Sequence, residues 1–185
     1  DTGKNEEYLR LWHEVSRDKI ALPIDCAPER ESKKWFPYSK GGSYRRWYGN
    51  QDYLVNWEND GAEIRQRSNS TIRNEQFFFR EGCGWSDVAT GLFALRKFPA
   101  GFLMDASGPM VFCDAMDDEF GVLAFCNSKL FQAYLDVVMQ GFHYSAGVLA
   151  EGPYSKSVVS PERVGENVRK ALSLSIVDWN SYEVS

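Results

Sequence analysis

Two runs of cations hold the residues whose types and spacing could do chemistry. From Lys33 to Arg46 there are five positive side chains, Lys33, Lys34, Lys40, Arg45 and Arg46, with no acid among them. From Arg65 to Arg80 four arginines, Arg65, Arg67, Arg73 and Arg80, meet Glu75 alone. Lysine and arginine bring charge and N–H donors to phosphate, and the planar guanidinium can hold two acceptors at once. Gly41 and Gly42 follow Lys40, and glycine lets a backbone come close to a bound group. This pattern predicts phosphate contacts at Lys40, Gly41, Gly42, Arg45 and Arg46. In the second run Arg65, Arg67 and Arg73 suit guanine, and Asn69, Asn74 or Gln76 suit adenine, each good pair giving about 1–3 kcal/mol of discrimination. Were a duplex the partner, residues 65–76 would be the place to read its bases. The Gly82–Asp87 turn, which carries Trp85 and Ser86, is expected to assist.

The formal net charge of −5 opposes a phosphate-dominated contact, so the distribution of charge matters more than its sum. Acids gather in Glu6-Glu7, in Glu58-Asp60-Glu63 and in Asp114-Asp117-Asp118-Glu119. Segregation of this kind predicts one basic face on an acidic body.

Other chemistry has little to stand on. The four cysteines, Cys26, Cys83, Cys113 and Cys126, are scattered without a C-x-x-C pair, and only His13 and His143 could join them. That is no zinc pattern, and reduced, mostly buried thiols are expected. Nothing sets a thiol beside a base for nucleophilic attack. Amino-methyl transfer needs a carboxamide–proline–aromatic loop and a Gly-rich cofactor turn, but no Asn-Pro-Pro-Tyr, Asp-Pro-Pro-Tyr or G-x-G-x-x-G occurs. P-loop, G-x-S-x-G and H-E-x-x-H patterns are equally missing, so no catalytic residue, metal or cofactor is assigned to this chain. No apolar run reaches the roughly 18 residues that cross a bilayer, and a soluble, cytoplasmic protein is expected.

Several elements must position these residues. Asn5 is placed to cap a helix running to about Lys19, with Tyr8, Leu11, Trp12 and Val15 on one face. A break in texture follows at Pro23 and Pro28. Trp35-Phe36-Pro37-Tyr38 leads into a tight Ser39–Ser43 loop, Tyr53–Trp57 has strand character, and Asn59-Asp60-Gly61 reads as a turn. Short strands are predicted at Phe77–Phe79, Phe93–Arg96, Phe102–Met104 and Val111–Cys113. Helix is predicted from Asp118 to Val138, interrupted at Asn127-Ser128 by residues that favour caps, and again from Val164 to Leu174.

Taken in order, these segments resemble a known family. Trp35–Gly42, Arg45–Asn50 and Val55–Gly61 resemble the start of the target-recognition region of PglX-like adenine-specific DNA methyltransferases, large enzymes of BREX phage defence. Leu9–Trp12 with Glu14-Val15 is similar to the helix leading into that region. Phe79–Gly82 with Trp85-Ser86, then Pro99–Phe102 and Gly108-Pro109, follow the same order. Leu123–Leu135, holding Asn127-Ser128-Lys129, resembles the asparagine–serine helix of restriction-modification specificity domains, and Asp178–Ser185 resembles a stretch that continues into a further C-terminal part.

The resemblance implies an α+β recognition domain, with a mixed curved sheet and flanking helices, that reads double-stranded DNA. Lys129 joins the DNA-contacting candidates on this basis. It also implies a missing methyltransferase domain holding S-adenosylmethionine, with other defence-complex proteins as further partners. The expected division is a helical lead-in over 1–25, the recognition domain over 26–160, and a helix opening a further region over 161–185. Three rival readings stand beside this one: an aromatic-rich carbohydrate- or peptide-binding module, a stand-alone enzyme using Cys83 or Asp105, and, within the same family, a module that docks partner proteins of a defence complex through the Asp114–Glu119 acids.

Overall fold

The computed structural model describes residues 2–22, 32–139, 141–155 and 161–181. Pro23, Cys26, Pro28 and the 25/26 boundary lie outside the described residues. Among those described there are seven strands: β1 (Leu9–Leu11), β2 (Trp35–Ser39), β3 (Tyr53–Asn56), β4 (Gly82–Gly84), β5 (Arg96–Phe98), β6 (Leu103–Met104) and β7 (Met110–Val111). The helices are α1 (Asn5–Tyr8), α2 (Glu58–Arg65), α3 (Met116–Cys126), α4 (Lys129–Val138), α5 (Ala146–Ala150) and α6 (Pro161–Asn180). None of them is long and apolar enough to cross a membrane. The α+β expectation holds, but the strands form two sheets rather than one.

The first sheet runs β1-β3-β2-β6, with β2 and β6 parallel and the other pairs antiparallel. Every residue of β2 is buried. Alternation explains why: Phe36 and Tyr38 enter one core with Val55, Trp57 and Leu103, while Trp35 faces Ile20 and Leu54 on the other side. Pro37 is tolerated here because its missing N–H points away from β3. Lys34 accepts from Trp57 on the β3 side, whereas Trp35 and Ser39 accept from Ala21 and Asp105 on the opposite side.

The predicted Asn5–Lys19 helix is not formed. Helix stops at Tyr8, and Leu9–Leu11 pairs with Val55, Leu54 and Tyr53 of β3, followed by two short 3₁₀ turns. A weak 3.6-residue period lost to an open sheet edge that offered a full ladder of hydrogen bonds. The described part of the expected lead-in, residues 2–22, thus contains a strand, β1, which completes the first sheet. The Phe77–Phe79 strand is absent as well. Glu75–Phe77 makes a 3₁₀ turn, and Phe78 and Phe79 pack edge-on or tilted against Trp57 and Phe36.

The second sheet, β5-β4-β7, is antiparallel and lies beneath the helices. Its core joins Cys83, Trp85 and Leu95 to Leu123 and Phe131, and to Val168 of α6. α6 shares this core with α3 through Val168 and Leu172. The break between α3 and α4 falls where cap residues predicted it. Ser128 Oγ accepts from Phe131 N, and the buried Asn127 amide both accepts from Leu95 N at 3.0 Å and donates to Leu95 O at 2.9 Å. Asn127 thereby imitates a strand partner just ahead of β5.

Candidate nucleic-acid interface

The Lys40–Arg46 segment is a loop held on three sides. Gly41 and Gly42 adopt φ of +81° and +129°, and a side chain at Gly41 would meet Ser107 O at 2.6 Å. Only glycine fits this turn and this close approach. Ser107 Oγ donates to Lys40 O at 3.1 Å, Ser86 Oγ donates to Gly42 O at 2.8 Å, and Asn50 Nδ2 donates to Ser43 O at 2.8 Å. Trp47 then bridges to Arg96, exchanging backbone bonds with Leu95 and Lys97, so the loop ends on the edge of the second sheet.

Beneath the loop lies Arg96, 1% exposed. Its guanidinium donates to Arg45 O at 3.3 Å and to Ser86 Oγ at 3.2 Å, while Nε has no acceptor. Among the described residues no carboxylate pairs with it. Burial, with Arg45 adding repulsion, lowers its pKa to about 10. The spacing of surface cations did not single out Arg96. Its signal in the sequence was an arginine closing the apolar run Phe93-Ala94-Leu95, where a charge has no solvated face to occupy.

The remaining predicted residues fall in three groups. Gly42, Arg45 and Ser86 meet at Arg96, and Lys40, Gly41 and Arg46 belong to the same loop. Within that group Lys40 pairs with the buried Asp105 at 3.2 Å, and Arg45 pairs with Asp178 at 2.9 Å while lying 5.0 Å from the Trp179 ring. Burial raises the pKa of Asp105, but hydrogen bonds from Ser107 and Tyr38, together with Lys40, bring it down to about 2. Arg46 lies over Tyr44 and has no acidic partner among the described residues.

The second group is committed inside the fold. Arg65 holds Asp60 at 3.0 Å and Glu75 at 2.7 Å, with its guanidinium over Trp57. Arg67 reaches Glu7 and Tyr8, and Asn69 donates to Gly3 O at 2.9 Å. The third group is not in one place. Arg73 and Lys129 are exposed without a carboxylate partner among the described residues, whereas Trp85 is 3% exposed and donates from Nε1 to Tyr144 O.

Two expectations are thereby corrected. Gly82–Gly84 is a strand, not a turn that displays an aromatic: its glycines make room for the Phe98 and Phe112 rings, and Trp85 and Ser86 are buried. The cations likewise do not make an acid-free face. Lys34, Lys40, Arg45, Arg65, Arg67 and Arg80 each meet a carboxylate. Trp12 and Trp179 line one groove of about 400 Å³ with Tyr48, Pro99 and Phe102.

No family model matches the sequence. The chain is 34% identical over 185 residues to the adenine-specific methyltransferase BrxX of Escherichia coli O9:H4 (strain HS). It is 36% identical over 191 residues to the adenine-specific methyltransferase PglX of Lacticaseibacillus casei (strain Zhang). These alignments take in 99% and 100% of this chain, but it spans only 14% and 16% of the length of the two proteins. From end to end, the chain is homologous to one part of much larger PglX-type adenine-specific methyltransferases.

Proposed function

We propose, from this end-to-end homology, that the chain is the double-stranded-DNA-recognising module of an adenine-N6 methyltransferase of a BREX-type phage-defence system. The observation that carries the reading is the match of the entire chain to a small share of two such enzymes. The sequence also lacks the loops that would hold a target amine or a methyl donor. Methyl transfer and S-adenosylmethionine then belong to another part of a longer polypeptide working in the cytoplasm. This module grips the duplex while that part flips the adenine. Because Arg65, Arg67 and Asn69 have internal partners, and Lys40 and Arg45 are paired with Asp105 and Asp178, the contact falls first to Arg46 and the glycines of the Lys40–Arg46 loop, with Arg73 and Lys129 as separate exposed cations. Base reading through Arg65, Arg67 or Asn69 would first require their internal partners to be displaced.

Duplex binding by the chain, followed across a salt series, tests this. The logarithm of the affinity should fall linearly with the logarithm of salt, by about 0.9 per phosphate contacted. Binding that ignores salt, or no binding at all, would count against the module. A second reading, docking to a protein partner, is favoured by Leu174 and Val177, which are 64% and 68% exposed three residues apart on α6. A salt-insensitive contact with protein and none with DNA would select it.

A further inference from the structure

A buried guanidinium with no carboxylate beside it is costly to hold, since a charge taken from water needs a partner or hydrogen bonds to every donor. Arg96 has two acceptors for its five N–H groups, and Nε faces none. It lines a cavity of about 10 Å³, room for roughly one oxygen-sized atom, with Ser86, Phe93 and Tyr144 around it. The rim of that cavity is Gly42-Ser43-Tyr44, exposed on its outer side. Among the described residues the backbone N–H groups of Gly42, Ser43 and Tyr44 donate to no acceptor. Arg46 stands two residues beyond the rim, also without an acid among those residues. The Arg96 side chain thus lines one small opening, whose exposed rim carries backbone N–H groups that no acceptor among the described residues takes.

We infer that Arg96 and the Gly42–Tyr44 rim form a phosphate subsite, which takes one anionic oxygen of a phosphate group against the guanidinium while the backbone N–H groups hold the others. The subsite rests on the proposed DNA contact for the source of its phosphate, which would be the backbone phosphodiester, but not for its chemistry. The loop glycines supply the positive φ that the turn into the rim needs, and Ser86 orients the guanidinium from the other side through its bond to Nη2. Arg96 would then act as a buried anchor that fixes the register of the loop on the duplex, leaving the sequence to be read elsewhere.

Thermal unfolding of the 185-residue chain in inorganic phosphate, compared with chloride at equal ionic strength, tests the subsite. Phosphate should raise the midpoint, and the rise should grow with the logarithm of its concentration as it does for a ligand that binds only the native state. Ser43→Asp places a like charge on the exposed rim without touching the core and should abolish the rise, while Ser43→Ala keeps it. Arg96→Gln should also abolish it; if that variant does not fold, the Ser43 pair decides. Equal midpoints in the two salts, or a full rise in Ser43→Asp, overturn the subsite. A duplex oligonucleotide separates the sources. Displacement of the duplex by phosphate, with about tenfold weaker duplex binding in Ser43→Asp, supports a backbone phosphodiester as the ligand. A phosphate effect without duplex binding keeps the subsite for free phosphate and removes the DNA contact. Duplex binding that is equal in wild type and Ser43→Asp overturns the subsite and leaves the DNA contact standing.

Discussion

The two cation-rich stretches look alike in sequence and differ in the folded protein. Around Arg65 and Arg67 the chain brings its own acids, Asp60, Glu75 and Glu7, to each guanidinium, so the charge is spent internally. Around Arg96 it brings a Gly-rich loop, a serine hydroxyl and the Arg45 carbonyl; the nearby acids, Asp105 and Asp178, pair with Lys40 and Arg45, and among the described residues none pairs with Arg96 itself. A run of positive residues therefore says little about a binding face until the acids delivered by the fold are subtracted. What distinguishes the Arg96 region is a charge without compensation, and the number of charges is not what matters.

The scaffold beneath that region supplies the largest expected effect. Trp85 fills the core under the second sheet and bonds Tyr144 O, so Trp85→Ala should cost about 3–5 kcal/mol in urea-induced unfolding. If Trp85 stacked on bases instead, the same variant would keep its stability and lose only duplex binding. Asn127→Ala comes next. It leaves Leu95 N buried without its acceptor, while Leu95 O keeps the bond from Trp47 N, which should cost about 1–3 kcal/mol. A loss well below that would mean that water or a shifted helix takes over the amide's bonds.

Much of the helical layer was legible in the sequence because its signals are local. Ser128 caps the helix that it begins, and the interruption at Asn127-Ser128 needed no distant contact to be read. β1 and β4 were not legible. β1 is a strand only because β3 lies beside it, and the glycines of β4 read as turn residues although the Phe98 and Phe112 rings require them. The site shows the same division. The loop at Lys40–Arg46 follows from its glycines, but its neutralisation does not, since Arg45 meets an aspartate 133 residues away. The buried carboxylate that holds Lys40 is equally non-local.

That carboxylate gives the comparison a pH axis. Asp105 has a folded pKa of about 2, below the usual value of about 4. A depressed acid contributes stability that is complete above its unfolded pKa and is lost as pH falls through the folded one. The contribution, about 1–2 kcal/mol after allowing for the water that reaches Lys40, should therefore disappear between roughly pH 4 and pH 2. Asp105→Asn should flatten that part of the acid unfolding curve. An unchanged curve would show that Ser107, Tyr38 and Lys40 together do not hold Asp105 ionised.

The smallest effect is the most discriminating. Arg46→Gln and Arg65→Gln each remove one charge from a cation-rich stretch, yet they should differ in one measurement. Arg46 has no acid among the described residues, so its loss should reduce the salt dependence of duplex binding by about 0.9 in slope, one phosphate contact fewer. Arg65 already holds two carboxylates, so its loss frees Asp60 and Glu75 and should leave the slope where it was. A lower slope for both variants would mean that the Arg65 pairs open on the duplex and that the acids beside them are a latch. A lower slope for Arg65→Gln alone would reverse the assignment of the two regions, because it would show that charge compensated in the free protein is the charge the duplex uses.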